Sequence, residues 1–329
     1  MSSIGRYRVV SRLGSGAFST VWLSHDDDLD TPVAIKVLAE NWVGHADVGQ
    51  RFLEEARLLR RVEDRRVVRV HDIGRLPDER PYFVMDHVGG GTLADLPGLP
   101  LAVPEALALG EQLAGAVQVL HDHGVLHRDV KPSNVLLTPL PDRRVVIADL
   151  GMAKRLAEST GVTLTVGTPA FMAPEQAHQQ AGLDVRADVY AVAAVTYLLL
   201  TGRRPFADTT AGEVALRDPG AVPAPVGVGP AGLDDLLRGA LAYDPARRPA
   251  TARRLADRLA ELRSGPTQDD RADARADDAA DGTADETVRR SPVVAPARSH
   301  GLRLPAAAVA VVLAVAAVTW VLLSALLPS

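Results

Sequence analysis

His127-Arg128-Asp129-Val130-Lys131-Pro132-Ser133-Asn134 is the stretch on which the reading of this sequence turns. It brings an imidazole, a guanidinium, a carboxylate, an ammonium and a carboxamide close together along the chain. Its lysine is the telling member. The basic residues comprise 33 arginines and only Lys36, Lys131 and Lys154. An ammonium is a compact point charge that a guanidinium does not replace, so each lysine that persists against this bias invites a reason. Downstream, in this order, come Asp149-Leu150-Gly151 and Ala173-Pro174-Glu175.

Upstream, Gly14-Ser15-Gly16-Ala17-Phe18-Ser19-Thr20-Val21 lies between two strand-like segments. Glycines allow a backbone to approach phosphates closely, and the strand context separates this turn from one that opens a helix. Val33-Ala34-Ile35-Lys36 follows, a strand-like run ending in the first lysine. Short β-branched or aromatic runs at 9–10, 21–23, 33–38, 67–70 and 82–85 predict a small sheet-rich lobe, interrupted by one helical stretch at 50–62. Within that stretch Phe52, Ala56 and Leu59 define an apolar face at helical spacing. Glu55 falls on it, and Glu54 points nearly opposite. Beyond Gly91 a helical lobe follows. Residues 104–123 have helical periodicity, with Pro104 at the start and Gly124 past the end. The apolar run at 189–200 is closed by Gly202 and is too short for a membrane span, so it suits a buried core helix.

The chain has 329 residues, enough for one large or two small domains and a sizeable core. A formal net charge of −5 argues against a nucleic-acid binder held by a basic surface. No cysteine is present, which excludes disulfide scaffolds, thiolate zinc sites and cysteine nucleophiles. The nine histidines show no metal-binding helical pair. The start MSSIGRYRVV lacks the apolar run of a signal peptide, so this end is expected to stay where it is made.

Taken together, the motifs resemble those of protein kinases in order and spacing, most nearly bacterial eukaryotic-like serine/threonine kinases that carry a transmembrane segment. The resemblance covers about residues 5–263. It implies an α+β, bilobal fold: a small antiparallel β lobe with one helix at about 5–85, and a larger, mainly helical lobe at about 89–263. It also implies ATP-dependent phosphorylation of serine and threonine hydroxyls on proteins, this chain included. Phosphoryl transfer leaves the protein positional and electrostatic roles, and the resemblance assigns them. Asp129 accepts and orients the substrate hydroxyl, and Lys131 neutralises the γ-phosphate. Asn134 and Asp149 hold magnesium, with manganese as an alternative ion. Lys36 grips the α- and β-phosphates and is fixed by a helical glutamate, which the apolar-face argument makes Glu55. Gly14, Ser15, Gly16 and Ala17 cradle the ATP phosphates, while Val21 and Ala34 cover the adenine. Met85 is the gatekeeper, and the backbone from Asp86 to Val88 reads the adenine edge. His127 is expected to pack under the metal-binding triplet, and Asp188 and the Glu175/Arg248 pair to brace the large lobe. Lys131 and Gly167-Thr168-Pro169-Ala170-Phe171 fit the serine/threonine branch rather than the tyrosine branch. The departures are Ser19 for a third glycine, Leu150 for phenylalanine, and Asp64-Arg65-Arg66 where many relatives have His-Pro-Asn.

Residues 264–303, rich in Asp and Ala, predict a disordered acidic juxtamembrane linker. A transmembrane helix is expected at 304–327, where positions 306–327 carry no charge and would reach about 33 Å as a helix. Arg289, Arg290, Arg298 and Arg303 precede that span and no charge follows it. The expectation is therefore a single-pass cell-membrane protein with a cytoplasmic kinase domain. Only Pro328 and Ser329 follow, so no extracellular sensor domain is expected. The partners implied are protein substrates, the lipid bilayer and a transient second copy of the kinase, with no nucleic acid. In the resembling family an arginine before the catalytic aspartate marks activation by a loop phosphate, which would compensate the Arg128 guanidinium. Thr163 and Thr165 are the phosphorylation candidates. Two rival readings stand beside this one. A catalytically dead scaffold would usually have lost the lysine, aspartate or metal-binding positions, and a small-molecule kinase is disfavoured by Ala173-Pro174-Glu175.

Overall fold

A computed structural model describes residues 2–150, 169–178, 182–208 and 210–265. Thr163, Thr165 and the segments expected at 264–303 and 304–327 lie outside the described residues, apart from Ser264 and Gly265. Among the described residues no helix is long and apolar enough to cross a membrane.

The small lobe is an antiparallel sheet of β1 (Ser3–Ile4), β2 (Tyr7–Ser15), β3 (Ser19–Asp26), β4 (Thr31–Leu38), β5 (Val70–Arg75) and β6 (Pro81–Asp86). Their spatial order is β1-β2-β3-β4-β6-β5. Side chains alternate across a pleated strand, and β4 uses both faces. Val33, Ile35 and Val37 join an outer core with Ile4, Tyr7, Leu76 and Tyr82. Ala34 and Leu38 join the inner core with Phe83 and Met85 of β6. Lys36 shares the inner face, its ammonium 5.6 Å from the centre of the Phe83 ring. The period of two thus delivers one cation to an apolar interior.

Helix α1 (Ala46–Arg61) packs against β5 and β6 and buries Val48, Phe52, Glu55, Ala56 and Leu59. The expected stripe is present, and Phe52 meets Phe83 with ring centroids 5.1 Å apart. The helix starts at Ala46 rather than residue 50, because Val48 extends the stripe by a turn that Gly49 and the lack of a side-chain cap conceal. Asp47 in its first turn and Arg60 and Arg61 in its last complement the helix dipole. The apolar run at 67–70 departs from expectation. Only Val70 is in a strand; Val67 bridges Ile147 of the large lobe, and the Val68 amide donates to the Ile147 carbonyl at 3.0 Å. A β-branched run carries the same signal whether it joins its own sheet or crosses to another.

In the large lobe, α2 (Val103–Asp122) lies against α4 (Arg186–Thr201) and α7 (Ala252–Ser264). The close approach requires Gly110, where a Cβ would fall 2.6 Å from the Thr196 hydroxyl. The apolar run at 189–200 forms the buried body of α4, which ends at Gly202 in the left-handed conformation, φ +67°. The short helices α3 (Pro174–Ala177), α5 (Ala211–Leu216) and α6 (Leu233–Ala240) complete this lobe. Arg248 grips Glu175 of α3 in a bidentate pair at 2.6 and 2.8 Å, the expected brace. A hairpin of β7 (Val135–Leu137) and β8 (Val145–Ile147) faces the small lobe and brings the catalytic-loop motif, just before β7, and Asp149, just past β8, to its same open end, where Val135 pairs with Ile147.

Candidate active site

Lys36 donates to Glu55 Oε1 at 2.7 Å and to Asp149 Oδ1 at 3.0 Å. Three elements distant in sequence therefore meet at one ammonium. Lys36 and Glu55 are almost wholly buried, while Glu54 turns outward to Gln50. Burial alone would depress the lysine, but the two carboxylates outweigh it and hold Lys36 above its ordinary pKa. Partial burial raises Asp149, whose side chain keeps 41% of its surface exposed; Lys36 reverses that and keeps it below the usual carboxylate value. Glu55 is raised, first by its burial, because the one cation it faces is shared with a second anion.

The second cluster comes from the quoted loop. Lys131 Nζ donates to Asp129 Oδ2 at 2.6 Å. Asn134 Nδ2 donates to the Asp129 main-chain oxygen at 2.9 Å and to Oδ2 at 3.2 Å. With its nitrogen so engaged, Asn134 offers Oδ1 as the atom for a cation. The two clusters adjoin, since the Ala148 amide donates to the Asn134 carbonyl at 3.1 Å and the next residue is Asp149. A carboxylate beside an ammonium, with an amide oxygen and a second carboxylate nearby, can orient a hydroxyl, neutralise phosphate charge and hold a hard divalent cation.

Above these groups, β2 and β3 are joined by the glycine-containing turn, closed by Gly16 N donating to Ser19 O at 2.8 Å. A Cβ at Gly14 would meet nothing within 4 Å, and at Gly16 only the Ser19 carbonyl at 3.8 Å. Neither glycine is demanded by packing or by a positive φ, so Gly14 and Gly16 carry no side chain to keep a phosphate from the backbone of residues 14–17. Val21 pairs in register with Lys36, and Ala34 with Met85. Asp86 ends β6, its amide given to the Arg69 carbonyl at 3.0 Å and its carboxylate 2.6 Å from His71 Nε2. Val88, beyond the strand, has a main chain that takes no part in the sheet.

Beneath the loop lies Asp188 of α4. It accepts from the His127 amide at 2.8 Å, the Arg128 amide at 2.7 Å and His121 Nε2 at 2.8 Å. This anchoring holds Arg128 at φ +64°, a conformation that costs a non-glycine residue about 1–3 kcal/mol. Because the His127 Nδ1 accepts from the Asp129 amide, its ring hydrogen belongs on Nε2, which donates to the Ala148 carbonyl at 3.2 Å. His127 therefore packs beneath the residue before Asp149, as expected.

Residues 7–259 match the protein kinase domain family. The chain belongs to that family. This kinase domain is 37% identical over 275 residues to the serine/threonine-protein kinase pkn2 of Myxococcus xanthus, covering 79% of this chain and 33% of that protein. It is 37% identical over 260 residues to the serine/threonine-protein kinase PknL of Mycobacterium tuberculosis, covering 75% of this chain and 63% of the relative. It thus spans a third to just under two-thirds of these relatives. Among solved structures it is similar to a double-mutant PknI kinase domain of Mycobacterium tuberculosis, with a TM-score of 0.63 and 30% identity over 80% of this chain and 99% of the other.

The sequence did not reveal two contacts of the kinase domain. Gln176 donates to the Arg128 carbonyl at 2.9 Å, and Trp42 reaches the Ala17 carbonyl. Both depend on tertiary placement; neither has a periodic signal. Asp188 yields a test. Burial pushes its carboxyl up, but the hydrogen bonds from His121 and from the Arg128 amide outweigh this and hold it below the usual range. A depressed folded pKa contributes stability above the unfolded value of 3.8 that is lost as pH falls through the folded value. Asp188→Asn should melt lower than wild type at neutral pH, and the gap should narrow as pH falls below about 4. Thermal melts from pH 3 to 7 check this; a gap independent of pH would contradict it.

Proposed function

We propose that this chain transfers the γ-phosphoryl group of ATP to serine and threonine hydroxyls of proteins, including its own. The observation that carries this reading is Lys36 engaged with both Glu55 and Asp149 while Asp129, Lys131 and Asn134 are drawn together beside them. Asp129 takes the hydroxyl proton as the oxygen–phosphorus bond forms and the bond to the β-phosphate oxygen breaks, leaving ADP. Lys131 meets the charge on the transferring group, and Lys36, fixed by Glu55, holds the α- and β-phosphates. The backbone from Gly14 to Ala17 covers the phosphates, Val21, Ala34 and Met85 line the adenine slot, and the backbone of Asp86 and Val88 reads its edge. Asn134 and Asp149 would hold a divalent cation, magnesium or manganese, whose bound charge neutralises the phosphate oxygens.

With magnesium, ATP and a generic protein substrate, Asp129→Asn should lower kcat by about 10²–10⁴-fold and Lys36→Met should abolish transfer, both variants remaining folded. Near wild-type incorporation by either would overturn the roles given to them. A wild-type protein that binds nucleotide without transfer would favour a scaffold.

Activation by autophosphorylation at Thr163 or Thr165 is part of this reading, the phosphate being transferred between two transiently paired copies. Arg128 supports it: its buried Nε has no hydrogen-bond partner among the described residues, and a phosphate supplies charge and acceptor oxygens. Mass spectrometry of active enzyme should find phosphate at one of these threonines, and the double alanine variant should lose most activity towards added substrate. Full activity in that variant, with an unmodified loop, would remove the switch.

The apolar segment at 304–327 and the arginines before it support a single-pass membrane protein with a cytoplasmic kinase domain, held off anionic lipid by the acidic stretch between them. Protease added to intact spheroplasts should spare the kinase domain; its digestion there would contradict this topology.

A further inference from the structure

Trp42 ends a short 3₁₀ turn, Glu40–Trp42, between β4 and α1, and is 9% exposed. Three contacts from this segment converge on the glycine-containing turn. The Phe18 ring stacks on the Trp42 indole, with centroids 5.0 Å apart and planes 15° from parallel. Trp42 Nε1 donates to the Ala17 carbonyl at 2.9 Å, and the Ala39 amide donates to the Phe18 carbonyl at 2.9 Å. On its other side Trp42 meets the edge of His45, the residue before α1, with centroids 5.3 Å apart, and the His45 amide donates to the Trp42 carbonyl at 3.2 Å.

These contacts do something the turn cannot do for itself. Gly14 and Gly16 have no side chains to anchor the tip, a Cβ at Gly14 meeting nothing within 4 Å and at Gly16 only the Ser19 carbonyl at 3.8 Å, so an outside support helps to keep the hairpin tip ordered over a ligand. Phe18 and Ala17 provide the hold, and the support is the segment that leads into α1. The same helix carries Glu55, which fixes Lys36. One aromatic pair therefore reaches both sides of the phosphate subsite, the covering backbone and the lysine beneath it.

We propose that Trp42 is a positioning residue for nucleotide, latching the tip of the glycine-containing turn to the base of α1 so that the turn and the Lys36–Glu55 pair are set together. This rests on reading residues 14–17 as the phosphate-binding turn. Trp42 touches no reacting atom in this scheme and acts through Ala17 and Phe18.

The test uses full-length protein and titrates magnesium–ADP by calorimetry alongside turnover, each variant held well below its own melting temperature. Trp42→Ala should weaken ADP binding by about fivefold, the scale of an aromatic stack with a hydrogen bond, and Phe18→Ala, which keeps that hydrogen bond, by about threefold. The double variant should bind no more weakly than Trp42→Ala, because that change already removes both parts of the latch. Trp42→Phe keeps the stack and loses only the indole N–H, so it should recover part of the affinity, with a loss of about threefold. Affinities within measurement error of wild type, or losses that multiply in the double variant, overturn the proposal; should Trp42→Ala fail to fold, Trp42→Phe and Phe18→Ala decide it by the same criteria. Wild-type protein that binds ADP but transfers no phosphate would defeat the activity reading while leaving this proposal to the affinity ratios. Wild-type protein that does not bind ADP would defeat both.

Discussion

The ammonium of Lys36 is the point on which the rest of the molecule depends. It is buried between two carboxylates, and each of the three charges arrives on a different piece of chain: β4, α1 and the segment beyond β8. A buried charge that loses its partner is strongly unfavourable, whereas exchanging the whole group for apolar residues often is not. Such a cluster is therefore a poor way to gain stability and an effective way to enforce an arrangement. Only a fold that brings strand, helix and hairpin into one register satisfies all three groups. The excess of one anion leaves the cluster short of positive charge, which suits a site whose occupants include a divalent metal ion.

Asp188 enforces a second arrangement from below. Two consecutive amides and an imidazole end on one buried carboxylate, and that convergence sustains the strained backbone of Arg128 just before Asp129. The strain is local and its restraint comes from α4, whose body from Val189 to Tyr197 is buried in the core of the large lobe. Rigidity made by ordinary core packing is in this way transferred to a loop of polar residues, whose own side chains could not hold it.

What could be read from the sequence follows from what periodicity encodes. The apolar stripe of α1 is a local pattern, and it sufficed to choose Glu55 over Glu54. The motif order gave the bilobal architecture and gathered Asp129, Lys131, Asn134 and Asp149 into one region. The residues at 67–70 were misread because hydrophobicity records that a segment is buried and leaves its partner unspecified. The start of α1 was hidden by a glycine and an uncapped end. Trp42 was invisible for a different reason: one aromatic residue in a connecting segment has no period, and its meaning comes from the fold bringing Phe18 and Ala17 to it.

The crossing at Val67 and Val68 bears on how the lobes can move. The chain passes between them once, after Asp86, and the Val68–Ile147 and Ile147–Arg66 hydrogen bonds make a second attachment at 3.0 and 2.8 Å. Two fixed points define a line. Rotation about it leaves both attachments whole and changes the width of the opening in front, like a door on two pins, with the Lys36–Asp149 bond as its latch; sliding or twisting about another direction strains the backbone hydrogen bonds. The misread valines thus favour one angle of motion between the lobes over the others.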